Sequence, residues 1–152
     1  MLVHLAEESF QRGMAAYDAG RGREAMAFFE AAIELERRLG DGPPQARYLS
    51  QYGLCLGTVV RRRYKGVQFC REAVGLERYN PDMYCNLGRV LLAAGRRKDA
   101  HDAFLRGLRI QTDHQQIIRA LKEMGIRRRP PLPFLSRSNP LNVYLGRMRD
   151  PR

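Results

Sequence analysis

The chain has 152 residues, the size of one ordinary domain. Its composition, 44% hydrophobic and 28% charged, excludes a wholly disordered chain, and no run approaches the ~18 apolar residues of a membrane-spanning helix. Residues 1–20 lack the basic start and apolar stretch of a signal peptide, so we expect a cytoplasmic protein. A net charge of +11, from 27 Lys plus Arg against 16 Asp plus Glu, favours an anionic partner without identifying one.

Small and apolar residues recur along the chain in a pattern that predicts two helices around a turn. In the first copy, at about 6–39, Gly13 is followed by Ala25-x3-Phe29. The apolar residues after the turn fall at helical spacing, so we expect an amphipathic helix there. Glycine and proline are concentrated at 40–44, which predicts a longer loop before the second copy.

The second copy lies at about 46–79 and the third at about 81–113. The second contains Leu49-x2-Tyr52-Gly53-x2-Leu56, then Gly66-x3-Cys70, and the third contains Tyr84-x2-Leu87-Gly88-x2-Leu91, then Gly95 and Ala100-x3-Phe104. Phe104 follows Cys70 by 34 residues, which is a repeat period typical of stacked helical hairpins. The second copy is one residue longer than the third, and the extra residue falls at its turn.

A further helix is predicted at about 114–124, where Ile117 and Leu121 belong to an apolar stripe and Thr112 and Gln115 have the spacing of a capping box. Helical solenoids need such a polar cap at their ends, and we expect this helix to supply one.

The remaining segment, 126–152, holds five of the eight prolines and seven arginines against one acid, and is predicted to be an extended, basic tail. Its apolar residues indicate docking, either on the protein's own helices or on a partner. The candidate docking residues are Phe134, Leu135, Leu141, Tyr144 and Leu145.

These motifs resemble the tetratricopeptide-repeat (TPR) family over about 6–112. The resemblance implies an all-α fold, a right-handed α-solenoid of three helix-turn-helix repeats with a C-terminal capping helix, in which 1–125 form the repeat domain and 126–152 the tail. Gly66 replaces the alanine usual in the family and is expected to weaken its helix by about 1 kcal/mol. The residues predicted to be buried are Phe29, Ile33, Leu76, Leu87, Gly88, Leu91, Phe104 and Leu108.

The resemblance also implies a concave groove that binds an extended or helical peptide of another protein. Its lining is expected on the first helix of each repeat, where apolar side chains supply pockets and amides bond the peptide backbone. The predicted groove residues are Phe10, Gln11, Met14, Tyr17, Gln51, Leu54, Asn86, Arg89 and Leu92.

A second candidate surface is basic, because each turn between paired helices carries cations. Stacked repeats place equivalent turns along one edge, so we expect a ridge that fits an anionic partner, either RNA or an acidic protein surface. The ridge residues are Arg21, Arg23, Arg61, Arg62, Arg63, Lys65, Arg96, Arg97 and Lys98. Two hypotheses follow: a protein-binding adaptor or scaffold that uses the groove, alone or within a larger assembly, and an RNA- or ribosome-associated factor that uses the ridge and tail.

Catalysis, a cofactor and a metal site are not indicated. His4, His101 and His114 are scattered, and no nucleophile with an orienting carboxylate has a recognisable spacing, so we expect surface histidines. Three cysteines, Cys55, Cys70 and Cys85, contain no CxxC pair and are expected to be buried free thiols.

Overall fold

The computed structural model describes residues 2–40 and 42–125 of the chain. The expected tail, with the docking residues predicted in it, lies outside the described residues. The described part consists of helices joined by turns and loops and contains no strand. The helices are α1 (Leu2–Asp18), α2 (Gly22–Leu39), α3 (Ala46–Thr58), α4 (Arg63–Leu76), α5 (Pro81–Ala93), α6 (Arg97–Ile110) and α7 (Gln115–Met124).

Consecutive helices form pairs: α1 packs on α2, α3 on α4, and α5 on α6. Neighbouring pairs are joined by contacts of α2 with α3 and of α5 with both α3 and α4. All the packing described below lies within one compact unit of the chain, Met1–Leu121. The predicted all-α fold of stacked helical pairs is confirmed.

A glycine on the first helix of each pair allows the second helix to approach closely. A Cβ added at Gly13 would lie 2.6 Å from the Phe29 ring, and one added at Gly53 would lie 2.9 Å from Cys70 Sγ. A Cβ added at Gly88 would likewise overlap the ring of Phe104. The repeated glycine therefore leaves the space that a buried side chain of the partner helix fills.

The three turns within pairs share one conformation. Gly20 and Gly95 both have φ of +75°, and each directly precedes the N-cap residue of the second helix in its pair. In the second turn Arg61 occupies this position, with φ of 59°. This left-handed conformation suits glycine and strains a residue with a Cβ. The second turn is also one residue longer, as the spacing predicted.

Most of the predicted core is confirmed. Phe29 and Phe104 are fully buried, and Ile33, Leu87, Gly88 and Leu91 are also buried. The prediction for Leu76 is wrong: 42% of it is exposed. The buried positions of α4 are Gly66, Val67, Cys70 and Ala73, and Leu76, at the end of the helix, does not lie on that stripe. Leu108 is only half-buried, because it lies at the edge of the corresponding stripe on α6.

The start of α7 differs from the sequence prediction. The helix begins after His114, and the Ile117 N–H donates to His114 Nδ1 at 3.4 Å, so the histidine caps it and Thr112 does not. His114 is 8% exposed, and its Nε2 lies 2.9 Å from Asp82 Oδ1 on α5. The expectation of a surface histidine is therefore wrong here. The imidazole fastens α7 to the preceding pair.

Candidate protein-interaction surfaces

The predicted groove residues lie on α1, α3 and α5, the first helices of the three pairs, but the structure divides them into two groups. Accessible side chains are those of Gln11, Met14, Tyr17, Gln51, Arg89 and Leu92, which are exposed or half-buried. Buried ones are those of Phe10, Leu54 and Asn86, at 6%, 1% and 6% exposure. The second group belongs to the interior, so these three side chains do not present the pockets and amide that were expected of them.

Phe10 is buried because aromatic rings from two other helices surround it. Its ring centroid lies 5.5 Å from that of Phe29 and 4.8 Å from that of Tyr48, and the Arg47 guanidinium lies 5.2 Å from the same ring. Such a cluster is stabilised by apolar burial and by the attraction of a cation to the ring face. Phe10 therefore joins the first pair to α3.

Asn86 holds α5 against α3. Its Nδ2 donates to Ser50 Oγ at 2.9 Å, and both residues are buried. A buried polar pair of this kind is costly to break because either partner alone would lose its hydrogen bond. The amide is thus used inside the protein and not offered to a ligand.

Tyr17 and Arg89 approach each other although they belong to the first and third pairs. Arg89 Nη2 donates to the Tyr17 hydroxyl at 3.0 Å, so side chains of α1 and α5 meet across α3. Both residues are half-buried. Among the ion pairs of the described residues, none includes Arg89, so a half-buried guanidinium lies in this face with a neutral oxygen as its partner.

Two thiols lie near this guanidinium. Burial raises the pKa of Cys55 and that of Cys85 to about 11, and the charge of Arg89 opposes the shift in both. Burial likewise raises the pKa of Cys70 to about 12. All three cysteines are free and buried, as predicted. Because they stay protonated at neutral pH, they are not reactive thiolates.

A polar cluster at the other end of the same face was not predicted. Arg47 forms an ion pair with Glu7, and the Tyr48 hydroxyl donates to Glu7 Oε2 at 2.8 Å. A hydrogen bond from Gln11 lowers the pKa of Glu7, aided by Tyr48 and Arg47 and opposed by partial burial. The sequence did contain a signal for the ion pair, since Glu7 precedes Gly13, and Arg47 precedes Gly53, by the same six residues.

The nine ridge cations are all exposed at the three turns, but their surroundings differ. Arg21 pairs with Glu24 and Arg96 with Asp99, each three residues further along the chain. In the second turn the position equivalent to these two acids is occupied by Lys65, another cation. Within the described residues no ion pair includes Arg61, Arg62, Arg63 or Lys65, so positive charge is concentrated at the second turn.

The described residues contain neither a metal-binding cluster nor a membrane-spanning helix. That part of the chain contains no group of three or more His, Cys, Asp or Glu side chains placed to hold a metal ion. Its helices include none that is long and apolar enough to cross a membrane.

Comparisons with known proteins agree with this architecture. Residues 11–45 match the sequence model of a tetratricopeptide repeat. The chain is similar in structure to the Arabidopsis OM64 TPR domain, with a TM-score of 0.68 and 20% identity, over 82% of this chain and 97% of that one. It is also similar to MamA, with a TM-score of 0.60 and 19% identity, over 80% of this chain and 70% of that one.

A third similar structure is PcrH in complex with the chaperone binding region of PopB. Its TM-score is 0.61 and its identity 19%, over 78% of this chain and 93% of that one. A search of curated protein sequences gave no match. The fold is therefore a helical-repeat solenoid of the tetratricopeptide type. The resemblance to the TPR family is confirmed by the sequence of the repeat at 11–45, and the similar structures show that the fold is the expected one.

Proposed function

We propose that this chain is a non-catalytic protein-interaction module, an adaptor or scaffold, that binds a peptide segment of another protein along α1, α3 and α5. The contact between Tyr17 and Arg89 carries the proposal. It brings side chains of the first and third pairs together above the second, as a concave surface requires. Similarity to PcrH, whose structure contains a bound region of PopB, supports a peptide as ligand.

The accessible residues of this face suit a peptide chemically. Arg89 has donors to spare, because its guanidinium carries five N–H groups and one of them bonds Tyr17. A carboxylate or a main-chain carbonyl of the peptide would accept from the others, with a charge-assisted bond in the first case. Met14 of α1 and Leu92 of α5, both half-buried, offer apolar contact.

Gln51 of α3 is the amide available between these helices, since Asn86 is used internally. Its Oε1 is shielded from solvent and has no hydrogen-bond donor within the described residues. An unsatisfied buried acceptor costs about 1–3 kcal/mol, so a rotation of this amide toward a peptide N–H would be favourable. The groove proposed here therefore consists of Gln11, Met14, Tyr17, Gln51, Arg89 and Leu92.

A peptide selection followed by charge reversal tests the proposal. Peptides are selected from a phage-displayed random library on the purified protein, and the affinity of one synthetic selected peptide is measured by fluorescence anisotropy. Arg89→Glu is expected to weaken it by about tenfold or more, because the variant loses a charge-assisted bond and repels acceptors. Circular dichroism checks that the helices are retained.

Arg23→Glu is the matched control, since it makes the same change of charge at an exposed position of α2 near the first turn. It is expected to leave the affinity unchanged. Equal binding by Arg89→Glu and the wild type would contradict the groove. Loss of binding in Arg23→Glu alone would instead place the site on the basic turns.

A further inference from the structure

A cleft of about 280 Å³ opens between α4 and α6, on the side of α5 away from the proposed groove. The uncharged residues of its lining are Val74, Tyr84, Leu87, Leu91 and Ala103. Leu87 and Arg89 are two residues apart on α5, which is about 200° around a helix, so cleft and groove lie on different faces.

At the corresponding junction, between α2 and α4, the protein has an aromatic pair of its own. Tyr52 of α3 and Phe69 of α4 pack edge to face, with ring centroids 5.0 Å apart and an interplanar angle of 80°. The Tyr52 hydroxyl donates to Glu30 Oε1 on α2 at 3.1 Å. A single tyrosine thus spans the junction between the first two pairs.

Smaller residues occupy the equivalent positions at the next junction. Leu87 precedes Gly88 as Tyr52 precedes Gly53, and Ala103 precedes Phe104 as Phe69 precedes Cys70. Two aromatic rings in one junction are therefore replaced by leucine and alanine in the other. The cleft lies at these smaller residues.

The charge of the rim is also altered. Arg71 takes the position that Glu30 has in the first pair, one residue after the buried Cys70. Arg106 lies on the opposite rim, and a shallow depression of about 190 Å³ continues from there past Arg109. Within the described residues no ion pair includes these three arginines, whereas the rim carboxylate of Asp99 is paired with Arg96.

We propose that the cleft between α4 and α6 binds an aromatic side chain carried on an acidic segment of a partner protein. The volume is sufficient, since a cavity of about 150 Å³ holds a benzene molecule. The aromatic ring takes the place that Tyr52 fills at the first junction. Acidic neighbours of that ring pair with Arg71, Arg106 and Arg109, whose combined charge exceeds that of the remaining rim carboxylate, Asp102.

The probe is the blocked peptide acetyl-Asp-Glu-Tyr-Glu-Asp-amide, titrated into the ¹⁵N-labelled full chain and followed by amide chemical shifts. Shifts are expected to concentrate at Leu87, Leu91 and Ala103. Replacing the peptide's tyrosine with alanine should weaken binding by about tenfold or more, because the ring provides the buried apolar area. The same peptide with lysines in place of its acids should not bind.

The double variant Leu87→Tyr/Ala103→Phe copies the aromatic pair of the first junction and fills the cleft. Its affinity for the peptide is expected to be lower by about tenfold or more, while its unfolding temperature stays that of the wild type. If that variant fails to fold, Arg71→Glu/Arg106→Glu keeps the cleft and reverses its rim charge at two exposed positions, and should abolish the preference for the acidic peptide.

Three results would overturn the proposal: no binding by the wild type at millimolar peptide, undiminished binding in the folded variants, or shifts centred on Tyr17 and Arg89. The last result would transfer the peptide to the groove and so support the proposed function while removing this second site. Binding that is lost in the filled variant and retained in Arg89→Glu would establish that the cleft binds the peptide independently of Arg89.

Discussion

A Cβ added at Gly66 of α4 would lie 2.6 Å from the carbonyl oxygen of Gly53 on α3. The nitrogen of Gly57 would be 2.8 Å away. Both are main-chain atoms, which cannot rotate aside as a flexible side chain does. Helices α3 and α4 therefore pack backbone against backbone at this point. Helix propensity ranks glycine below alanine, but it does not include the contact that glycine permits here.

Gly66→Ala is accordingly expected to destabilise the protein by about 1–3 kcal/mol, the cost typical of overpacking, although alanine is the better helix former. Gly75→Ala is the matched control on the same helix. It is exposed, no atom lies within 4 Å of its added Cβ, and it should stabilise the protein by about 0.5–1 kcal/mol. Urea unfolding measures both, and stabilisation by both substitutions would disprove the close contact.

The sequence predicted the fold well at positions where a residue type has a single structural role, such as a glycine that allows two helices to pack closely. Glycine opposite Phe29 or Phe104, repeated at about the same interval, indicated paired helices and their core. The groove was predicted less well, because position on a helix face does not reveal how deeply a neighbouring helix covers it. Phe10 and Leu54 fall on the expected face, yet both are buried, Phe10 between the rings of Phe29 and Tyr48.

The cleft between α4 and α6 was not predicted, although its residues were visible. To predict it, one would have to compare Tyr52 with Leu87 and Phe69 with Ala103. That comparison is possible only when the residues that meet at each junction between helical pairs are known. The aromatic contact of Tyr52 and Phe69 identifies those positions. Sequence periodicity alone treats all four as apolar helix residues.

The capping role of His114 gives a prediction about stability. His114→Ala removes the acceptor of the Ile117 N–H and the contact with Asp82, and should lower the free energy of unfolding by about 1 kcal/mol, as loss of other helix caps does. His101→Ala is the control, since that histidine is exposed on α6. Equal effects of the two substitutions in thermal unfolding would argue against the cap.

Arg61 is predicted to be a destabilising residue in its turn. Arg61→Gly should raise stability by about 0.5–1 kcal/mol, because it relieves a left-handed conformation that costs a residue with a Cβ about 1–2 kcal/mol, less the entropy that glycine loses on folding. Arg63→Gly removes the same charge at the start of α4 and should not stabilise. A lower melting temperature for Arg61→Gly than for the wild type would contradict the strain.

A buried thiol, Cys70, and a buried phenol, Tyr48, contribute to how stability responds to alkaline pH. Burial raises the pKa of Cys70 from 9.0 to about 12, and burial with a hydrogen bond to Glu7 raises that of Tyr48 from 10.0 to about 12. The unfolded chain thus loses these protons at lower pH than the folded chain. Their contribution is complete below about pH 9 and is lost as the pH rises toward 12, so the free energy of unfolding should fall over that interval.

Cys70→Ala isolates one of these groups. The variant is expected to be less stable than the wild type at pH 7, because Cys70 is fully buried, but to lose less stability between pH 9 and pH 11. The difference in slope is at most about 1.4 kcal/mol per pH unit for one proton. Urea unfolding at intervals of pH, with reductant present, measures both slopes. Parallel curves for the variant and the wild type would show that the Cys70 thiol titrates alike in the folded and unfolded chains, contrary to its burial between α3 and α4.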